Sequence, residues 1–277
     1  MFKEIKDSKN IRKMINDYYV KTYLGVVPGN KAFEIFISQM VKENQAKDEV
    51  EWIKKMMSLD KNQTILDYGC GIGNVVVYLG NKGYKIDGFE VDSDLYKIVR
   101  ARVEANNLRS RVIKENQGNR YKYNRIVSIF VAEHVNDLYE YILKAINMLQ
   151  PGGEFLIITC NYKISWEYHY QLFLPLFSKK ISKLVLRIIG RKTDFLDGLL
   201  FVKPSSFDCV FNRLAKAGIN IEVQKLGEKY FIESISQKKY HSKIFMILFS
   251  LAKTLHLVKI LVAMGLYNPL IYKLKKI

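Results

Sequence analysis

The sequence predicts an α/β fold in which helices cover both faces of a parallel sheet. From residue 64 onward, short apolar runs alternate with segments of helical periodicity, and strands separated by helices form parallel sheets. With 277 residues, 49% of them hydrophobic, the chain can hold one large α/β domain with additions around a sizeable core.

The elements follow in chain order from their apolar patterns. Residues 1–60 have helical spacing with a break at residues 27–30. Strands are expected at residues 64–67, 84–90, 110–115, 125–131, 154–159 and 219–225, with a short last strand at 268–273. Helices are expected at residues 74–81, 93–106 and 138–149, and from Pro204 to Gly218 with Ser205 or Ser206 as N-cap.

A glycine-rich turn follows the first strand. The stretch TILDYGCGIGN (residues 64–74) ends an apolar run at Asp67 and turns through Gly69, Gly71 and Gly73. Glycine at a strand-to-helix turn lets a ligand approach the backbone. A pyrophosphate-binding loop would need a further glycine after Gly73, and Asp67 would repel its charge. A ligand with an ammonium and a sulfonium suits this loop, which predicts an S-adenosylmethionine site.

A second acidic residue stands at the end of the second strand. It is Glu90, in the stretch IDGFEVD. A carboxylate there can accept hydrogen bonds from both hydroxyls of a ribose. The glycine turn, this acid and a Pro-Gly-Gly turn at residues 151–153 form an ordered set, which is more specific than a glycine turn alone.

These motifs resemble those of the class I S-adenosylmethionine-dependent methyltransferases. LDYGCGIGN resembles the first motif and DGFEVD the second. YNRIVSIFVAEHVND and LQPGGEFLIIT are similar to the fourth- and fifth-strand motifs of the small-molecule branch that contains the ubiquinone-biosynthesis O-methyltransferases. The resemblance implies a Rossmann-like, mostly parallel, seven-stranded sheet whose last strand is antiparallel, and an enzyme that transfers a methyl group from S-adenosylmethionine.

The resemblance also implies which residues contact the cofactor. They follow the ends of the first four strands: Asp67, Gly69, Cys70, Gly71, Gly73, Glu90, Val91, Asn116, Ile129, Phe130 and Glu133. Glu115 is the alternative to Asn116 at the adenine ring. Some quinone O-methyltransferases carry a metal-associated glutamate where this chain has Phe130, so we expect no metal site.

Six successive parts of the chain are expected on this basis. They are an N-terminal helical cap (1–58), the S-adenosylmethionine-binding core (59–160), a helical insertion serving as acceptor lid (161–203), a continuation of the core (204–230), a basic apolar helical insertion (231–266) and the final strand (267–277).

Two histidines are candidates for a catalytic base. His134 follows Glu133 at the end of the fourth strand, and His169 lies just past the fifth. A hydroxyl acceptor gains from a base, whereas an amine need not have one. Each histidine also has a structural interpretation, His134 as a helix cap and His169 as part of an aromatic lid. Glu133 either bridges to the acceptor or satisfies backbone donors.

The positive charge is concentrated outside the motifs. Lysine and arginine outnumber acidic residues 44 to 27, a net charge of +17. Residues 168–193 and 234–277 contain basic residues, no acidic ones, and many long aliphatics. This mixture favours an anionic membrane surface over nucleic acid. In residues 244–265, Lys253, His256 and Lys259 fall on one side of an expected apolar helix. The alternative is packing on the chain's own domain or a dimer.

The remaining expectations concern function and location. Three cysteines without CxxC spacing and a polar N-terminus indicate a cytoplasmic protein with reduced thiols and no signal peptide. The basic apolar segments add the expectation that it is peripheral on the inner face of the membrane. The favoured hypothesis is O-methylation of a small, lipophilic or lipid-linked acceptor by in-line displacement. An RNA-associated methyltransferase and a non-catalytic scaffold are the alternatives. The oligomeric state stays open.

Overall fold

The computed structural model describes residues 7–27, 45–114, 121–236 and 257–277. The helices are Lys9–Tyr23, Gln45–Met56, Asn74–Asn81, Ser93–Ala105, Leu138–Met148, Lys179–Ile188, Pro204–Lys216, Gly227–Ser236 and Leu257–Ala263, with 3₁₀ turns at Ala132–His134 and Asp194–Gly198. The strands are β1 Thr64–Tyr68, β2 Lys85–Phe89, β3 Val112–Ile113, β4 Tyr123–Ile129, β5 Leu149–Thr159, β6 Trp166–Glu167, β7 Leu172–Phe173, β8 Ile221–Lys225 and β9 Leu270–Lys276.

The main sheet has seven strands in the order β3-β2-β1-β4-β5-β9-β8. β9 runs antiparallel to both of its neighbours, β5 and β8, and the pairs among β1 to β5 are parallel. The expected Rossmann-like, mostly parallel sheet with an antiparallel last strand is therefore confirmed. β6 and β7 form a separate two-stranded hairpin.

Successive residues of the central strands pack alternately into two hydrophobic cores, one on each face of the sheet. On β5, Phe155 and Ile157 join one cluster, whereas Leu156 and Ile158 join the other. The first cluster includes buried residues of the helices Leu138–Met148 and Pro204–Lys216, and the second those of Gln45–Met56 and Asn74–Asn81. Burial on both faces explains why these strands are continuously apolar in sequence.

Two acidic side chains fix where helices begin beside the strand ends. Asp92 caps the helix Ser93–Ala105 by accepting from the backbone N–H groups of Asp94 and Leu95, both at 2.9 Å. Asp137 caps the helix Leu138–Met148 in the same way. These caps satisfy otherwise unpaired donors and set the loops that carry the site.

Several elements differ from the sequence expectations in their bounds. β3 has two residues, shorter than expected. β5 begins at Leu149, directly after the preceding helix, and the Pro-Gly-Gly turn lies within it as an irregularity in the pairing with β4. The expected N-caps Ser205 and Ser206 are wrong: Lys203 is the N-cap, and the Ser206 hydroxyl accepts from its backbone N–H at 3.2 Å.

The segment expected as a helical insertion at residues 161–203 is only partly helical. It opens with the β6–β7 hairpin, continues into the helix Lys179–Ile188, and closes with a 3₁₀ turn. The alternation of charged and aromatic residues around Trp166 gave no clear strand signal, because two-residue strands are set by tertiary contacts.

Part of the expected basic apolar helix lies outside the described residues. The described portion is the helix Leu257–Ala263, and Lys253 and His256 fall outside it, as does the apolar run at residues 32–41. No helix in the described ranges is long and apolar enough to cross a membrane.

Candidate active site

The carboxyl ends of β2, β1 and β4 meet at a large cavity. The strand order runs from β1 through β2 to β3 on one side and from β4 to β5 on the other. In open α/β sheets, ligands usually bind at the carboxyl ends of the strands where the order reverses in this way. The cavity has a volume of about 1460 Å³. The predicted site residues that line it are Asp67, Gly69, Cys70, Gly71, Glu90, Val91, Ile129, Phe130, Glu133, His134 and His169. Asn116, like its alternative Glu115, lies outside the described residues.

The glycine turn is held by backbone hydrogen bonds to β2. The N–H groups of Gly69 and Cys70 donate to the carbonyl of Phe89 at 2.9 and 3.0 Å. Gly73 is not among the described residues that line the cavity. A Cβ on Gly73 would stand 2.4 Å from Cγ2 of Val99, whereas one on Gly71 would meet no protein atom within 4 Å. The lack of a side chain at Gly73 therefore allows close packing against Val99. The lack of one at Gly71 leaves backbone exposed on the floor of the cavity.

Glu90, just after β2, stabilises the glycine turn by accepting hydrogen bonds from backbone N–H groups. Its Oε2 accepts from Gly71 N–H at 2.8 Å, and its Oε1 accepts from the N–H groups of Val91 and Asp92, both at 2.9 Å. Burial raises the pKa of Glu90, and these three donors act against that shift. A carboxylate has about four acceptor sites, so about one is left for a ribose hydroxyl. The expected bond to both hydroxyls would require one of the three backbone bonds to change.

Asp67 is a buried carboxyl at the cavity floor. Burial, and then the charge of Glu90, raise its pKa to about 8. An acid in this state lacks a cation to stabilise its charge. A positively charged ligand in the cavity would supply one.

Beyond the glycine turn, the far wall of the cavity is aromatic and contains both histidines. The ring centroids of His134 and His169 are 5.2 Å apart, and Phe195 lies 4.7 Å from His169. Nδ1 of His169 lies 2.8 Å from Oε1 of the buried Glu167. His134 opens onto the cavity, but burial, and then the charge of His169, lower its pKa. The structure thus brings together the two histidines that the sequence left as alternatives.

Glu133 is fully buried in the segment after β4. Its Oε2 accepts from the Thr159 hydroxyl at 2.6 Å, and its Oε1 has no hydrogen-bond partner among the described residues. Burial raises its pKa. An unpartnered buried oxygen in a cavity wall is costly in free energy, which a ligand donor would offset.

The helix Lys9–Tyr23 also contributes to the cavity, which the sequence motifs did not indicate. Tyr18, Tyr19 and Tyr23 from this helix line the cavity. Arg102, itself buried, holds the chain just before this helix by pairing with Asp7 at 3.0 Å. The same guanidinium donates to the carbonyl of Ile72 in the glycine turn at 2.8 Å. The run of tyrosines at helical spacing was the available signal. Glu167 was also missed, and no motif marked it.

These features fit S-adenosylmethionine. The glycine turn leaves backbone open to a ligand, and Glu90 can still accept a hydrogen bond from a ribose hydroxyl. Asp67 is a buried carboxyl whose ionised form a cationic ligand would stabilise. The fold and the site thus define a protein of the S-adenosylmethionine-dependent methyltransferase class.

The comparison with protein families gives the same result. A family model described as a methyltransferase domain matches residues 41–182, about half of the chain. The chain belongs to this methyltransferase family, and S-adenosylmethionine is the cofactor of its class.

Curated relatives and solved structures were also found. A ubiquinone biosynthesis O-methyltransferase of Hydrogenovibrio crunogenus is 26% identical over 191 residues, covering 65% of this chain and 74% of the relative. One from Rickettsia bellii is 26% identical over 117 residues, covering 40% of this chain and 48% of the relative. A Haemonchus contortus phosphoethanolamine N-methyltransferase 2, solved with S-adenosyl-L-methionine, has a TM-score of 0.47 and 17% identity, covering 83% of this chain and 52% of that one.

Cofactor affinity is expected to rise as the pH increases from about 6 to about 8, because a cationic ligand binds the ionised form of Asp67. The free protein holds this carboxyl partly protonated, with a pKa of about 8 against an ordinary 3.8, so binding should release a proton. Calorimetry in buffers of different ionisation enthalpy measures that release.

The control is Asp67→Asn, which should weaken binding and remove its pH dependence. A folded-state pKa raised above its unfolded value contributes stability that is present below pH 3.8 and is lost as pH rises through about 8. Above pH 8 the ligand-free Asp67→Asn variant should therefore unfold at a higher temperature than the wild type. Equal melting temperatures there, or pH-independent binding by the wild type, would contradict the assignment.

Proposed function

We propose that this protein transfers the methyl group of S-adenosylmethionine to a hydroxyl of a lipophilic acceptor that it takes from the cytoplasmic face of an anionic membrane. The observation that carries the proposal is an exposed apolar stripe, flanked by basic residues, in the segment that also supplies His169 to the cavity. The cofactor supplies a methyl group already activated on a positively charged sulfur, so the protein's main task is alignment of the acceptor.

The choice of a hydroxyl acceptor is supported from two directions. The curated relatives are named for O-methylation in ubiquinone biosynthesis. The cavity wall also contains two histidines next to buried carboxyls, which suits a reaction that must remove a proton from its acceptor. Its many aromatic side chains suit an aromatic ring as acceptor.

The membrane part of the proposal is supported by the helix Lys179–Ile188. Phe177, Ile181, Leu184 and Ile188 are exposed, at 78%, 44%, 56% and 75%. Ile181, Leu184 and Ile188 lie within the helix at spacings of three and four residues, which places them on one face of it. Phe177 directly precedes the N-cap, Ser178. The opposite face is buried through Ser182 and Leu186. The exposed apolar face is therefore not needed for packing within the described chain.

Basic side chains stand beside this apolar stripe. At about 100° per residue, Lys180 and Arg187 project next to it, and both are exposed. Lys183 on the same side is paired with Asp197. Apolar side chains that enter the acyl boundary, with cations toward anionic headgroups, are the pattern of helices that lie on a membrane surface.

The stripe is close in the chain to the cavity. The β6–β7 hairpin carries His169 in its turn and the exposed Phe173 in β7, and it leads directly into the helix Lys179–Ile188. A protein seated on a bilayer through this helix would hold its acceptor cavity near the lipid surface.

Leu184→Asp is expected to reduce binding to vesicles of anionic phospholipid at least about tenfold, because burying a leucine side chain contributes about 1.5–3 kcal/mol. Methyl transfer from labelled S-adenosylmethionine to a prenylated phenol held in those vesicles should fall in parallel. Transfer to a soluble phenol without the prenyl chain should not change. Flotation and label incorporation measure the two quantities.

The matched control is Ile277→Asp, which places the same charge at another exposed apolar residue. β9 is antiparallel, so Ile277 lies at the sheet edge opposite the cavity, and vesicle binding should be retained. Equal binding by Leu184→Asp and the wild type would refute the membrane part. Salt-sensitive retention on RNA without vesicle binding would favour a nucleic-acid substrate instead.

A further inference from the structure

We infer that Glu167 is a positioning residue that orients His169, and that His169 rather than His134 accepts the acceptor's proton. This inference rests on the proposed O-methylation and names the residues that would perform its proton transfer.

Glu167 is held rigidly by the hairpin that carries it. It is completely buried, and its Oε2 accepts from the backbone N–H of Tyr170 at 2.6 Å. Its Oε1 accepts from the Tyr162 hydroxyl at 3.3 Å and lies 2.8 Å from Nδ1 of His169. These contacts come from protein groups, so the carboxylate has a fixed place behind the imidazole.

The contact with Glu167 selects one tautomer of His169. A carboxylate can only accept hydrogen bonds, so Nδ1 must carry the hydrogen in the neutral ring. Nε2 then has the free lone pair. Because His169 lines the cavity, the nitrogen left for a ligand is the one that can take up a proton.

The surrounding rings restrict the movement of His169. Tyr23 is stacked with it at 6.2 Å between ring centroids, and Phe195 lies at 4.7 Å. The ionisable groups that face it are Glu167 from its own hairpin, Glu133 and His134 from the segment after β4, and Tyr23 from the N-terminal helix. Of these groups, Glu167 is the one in hydrogen-bond contact with the imidazole.

His134 has the opposite environment. Its pKa is lowered by burial first and then by the charge of His169. A ring with a lowered pKa is a weaker base, and a second positive charge 5.2 Å away would be repelled once either ring is protonated. His134 is therefore better placed to contact the acceptor than to take its proton.

The proton and electron balance of the reaction is simple. The acceptor O–H bond breaks, and its hydrogen goes to Nε2 of His169 as a proton. The oxygen forms its bond to the methyl carbon with the electron pair left behind. The carbon–sulfur bond breaks with its electrons on sulfur, which becomes neutral.

The test compares Glu167→Gln, His169→Gln and His134→Gln in the full chain, with the exposed Glu222→Gln as matched control for the loss of one negative charge. His169→Gln should reduce kcat by about 10²–10⁴-fold, the usual contribution of a general base. Glu167→Gln should reduce kcat by about tenfold or more and move the acidic limb of the pH–rate profile to lower pH, because the imidazolium loses its anionic partner. His134→Gln should change kcat by less, and Glu222→Gln should have no effect.

A second readout does not depend on activity. The chain has four histidines, so nitrogen NMR can resolve His169 and should show Nδ1 protonated and Nε2 unprotonated in the neutral ring. In Glu167→Gln that tautomer preference should weaken, while calorimetry shows unchanged binding of S-adenosylmethionine.

The outcomes separate this inference from the proposed function. An Nε2-protonated His169, an unshifted pH profile in Glu167→Gln, or a larger loss in His134→Gln than in His169→Gln would overturn it. Absence of methyl transfer to any phenol by the wild type, together with the expected NMR result, would refute the proposed acceptor and leave the His169–Glu167 geometry intact.

Discussion

Replacing Glu90 with alanine is expected to weaken the binding of S-adenosylmethionine at least about 100-fold. Hydrogen bonds to charged groups contribute about 1.5–3 kcal/mol each, and about 2.7 kcal/mol is a factor of 100 in affinity. The substitution removes the acceptor for the ribose. It also leaves the N–H groups of Gly71, Val91 and Asp92 without the carboxylate that now holds them, so the floor of the site loses its shape.

Glutamine at this position is expected to rescue little of the loss. An amide has one acceptor oxygen and one NH₂ donor group, so one side of the Glu90→Gln side chain would present a donor to a backbone N–H. Titration calorimetry with S-adenosylmethionine and with its demethylated product measures the effect for both variants.

Glu104→Ala is the matched control for Glu90→Ala. It removes an exposed carboxylate of the helix Ser93–Ala105 that pairs with Arg100 at 3.1 Å and lies outside the cavity-lining residues that the structure describes. Its cofactor affinity should stay close to that of the wild type. Wild-type affinity in Glu90→Ala would show that the cofactor does not use this acid, and no binding by the wild type would remove the enzyme interpretation.

The site residues that could be predicted are those that stand at the carboxyl end of a strand recognisable in the sequence. Asp67 and Glu90 each end a buried apolar run, and parallel strands place their carboxyl ends at one edge. Their meeting at one cavity therefore follows from the order of elements. The same reasoning brought Glu133 and His134 to the end of β4.

The parts that could not be predicted depend on contacts between distant segments. Tyr23 reaches the cavity because the helix Lys9–Tyr23 packs on the helix Ser93–Ala105 and because Asp7 pairs with Arg102. The contact between Glu167 and His169 depends on a hairpin with two-residue strands. Neither arrangement has a periodic pattern or a turn signature in the sequence, so only the three-dimensional structure shows them.

Substitutions in the glycine turn are also expected to have large effects, and the effects should differ because Gly73 and Gly71 have different roles. Gly73→Ala is expected to destabilise the fold by about 2–5 kcal/mol, combining about 1–3 kcal/mol for overpacking with about 1–2 kcal/mol for a left-handed residue. The new Cβ would stand 2.4 Å from Cγ2 and 3.2 Å from Cβ of Val99, which is completely buried. Valine is branched at that Cβ and cannot swing away, and φ at Gly73 is +82°.

Gly71→Ala is expected to have the reverse profile. Its φ of +54° costs about 1–2 kcal/mol for alanine, but its Cβ meets no protein atom within 4 Å, so the fold should survive with a modest loss of stability. The methyl group would stand on the cavity floor where the ligand approaches the backbone. Binding of S-adenosylmethionine should therefore fall more than about tenfold, which corresponds to 1.4 kcal/mol.

Gly152→Ala separates the backbone effect from the ligand effect. Gly152 has φ +71° and open space around the place of a Cβ, and it lies in β5 outside the cavity-lining residues that the structure describes. The Gly152→Ala variant should lose as much stability in thermal unfolding as Gly71→Ala does. Its affinity for S-adenosylmethionine, measured by calorimetry, should equal that of the wild type. If Gly71→Ala also bound the cofactor normally, the glycine at this position would be needed for the backbone conformation of the turn and not for cofactor binding. Because Gly73→Ala alters the core and Gly71→Ala alters the cavity, a folded Gly71→Ala protein without binding would tie the turn's open face to the cofactor.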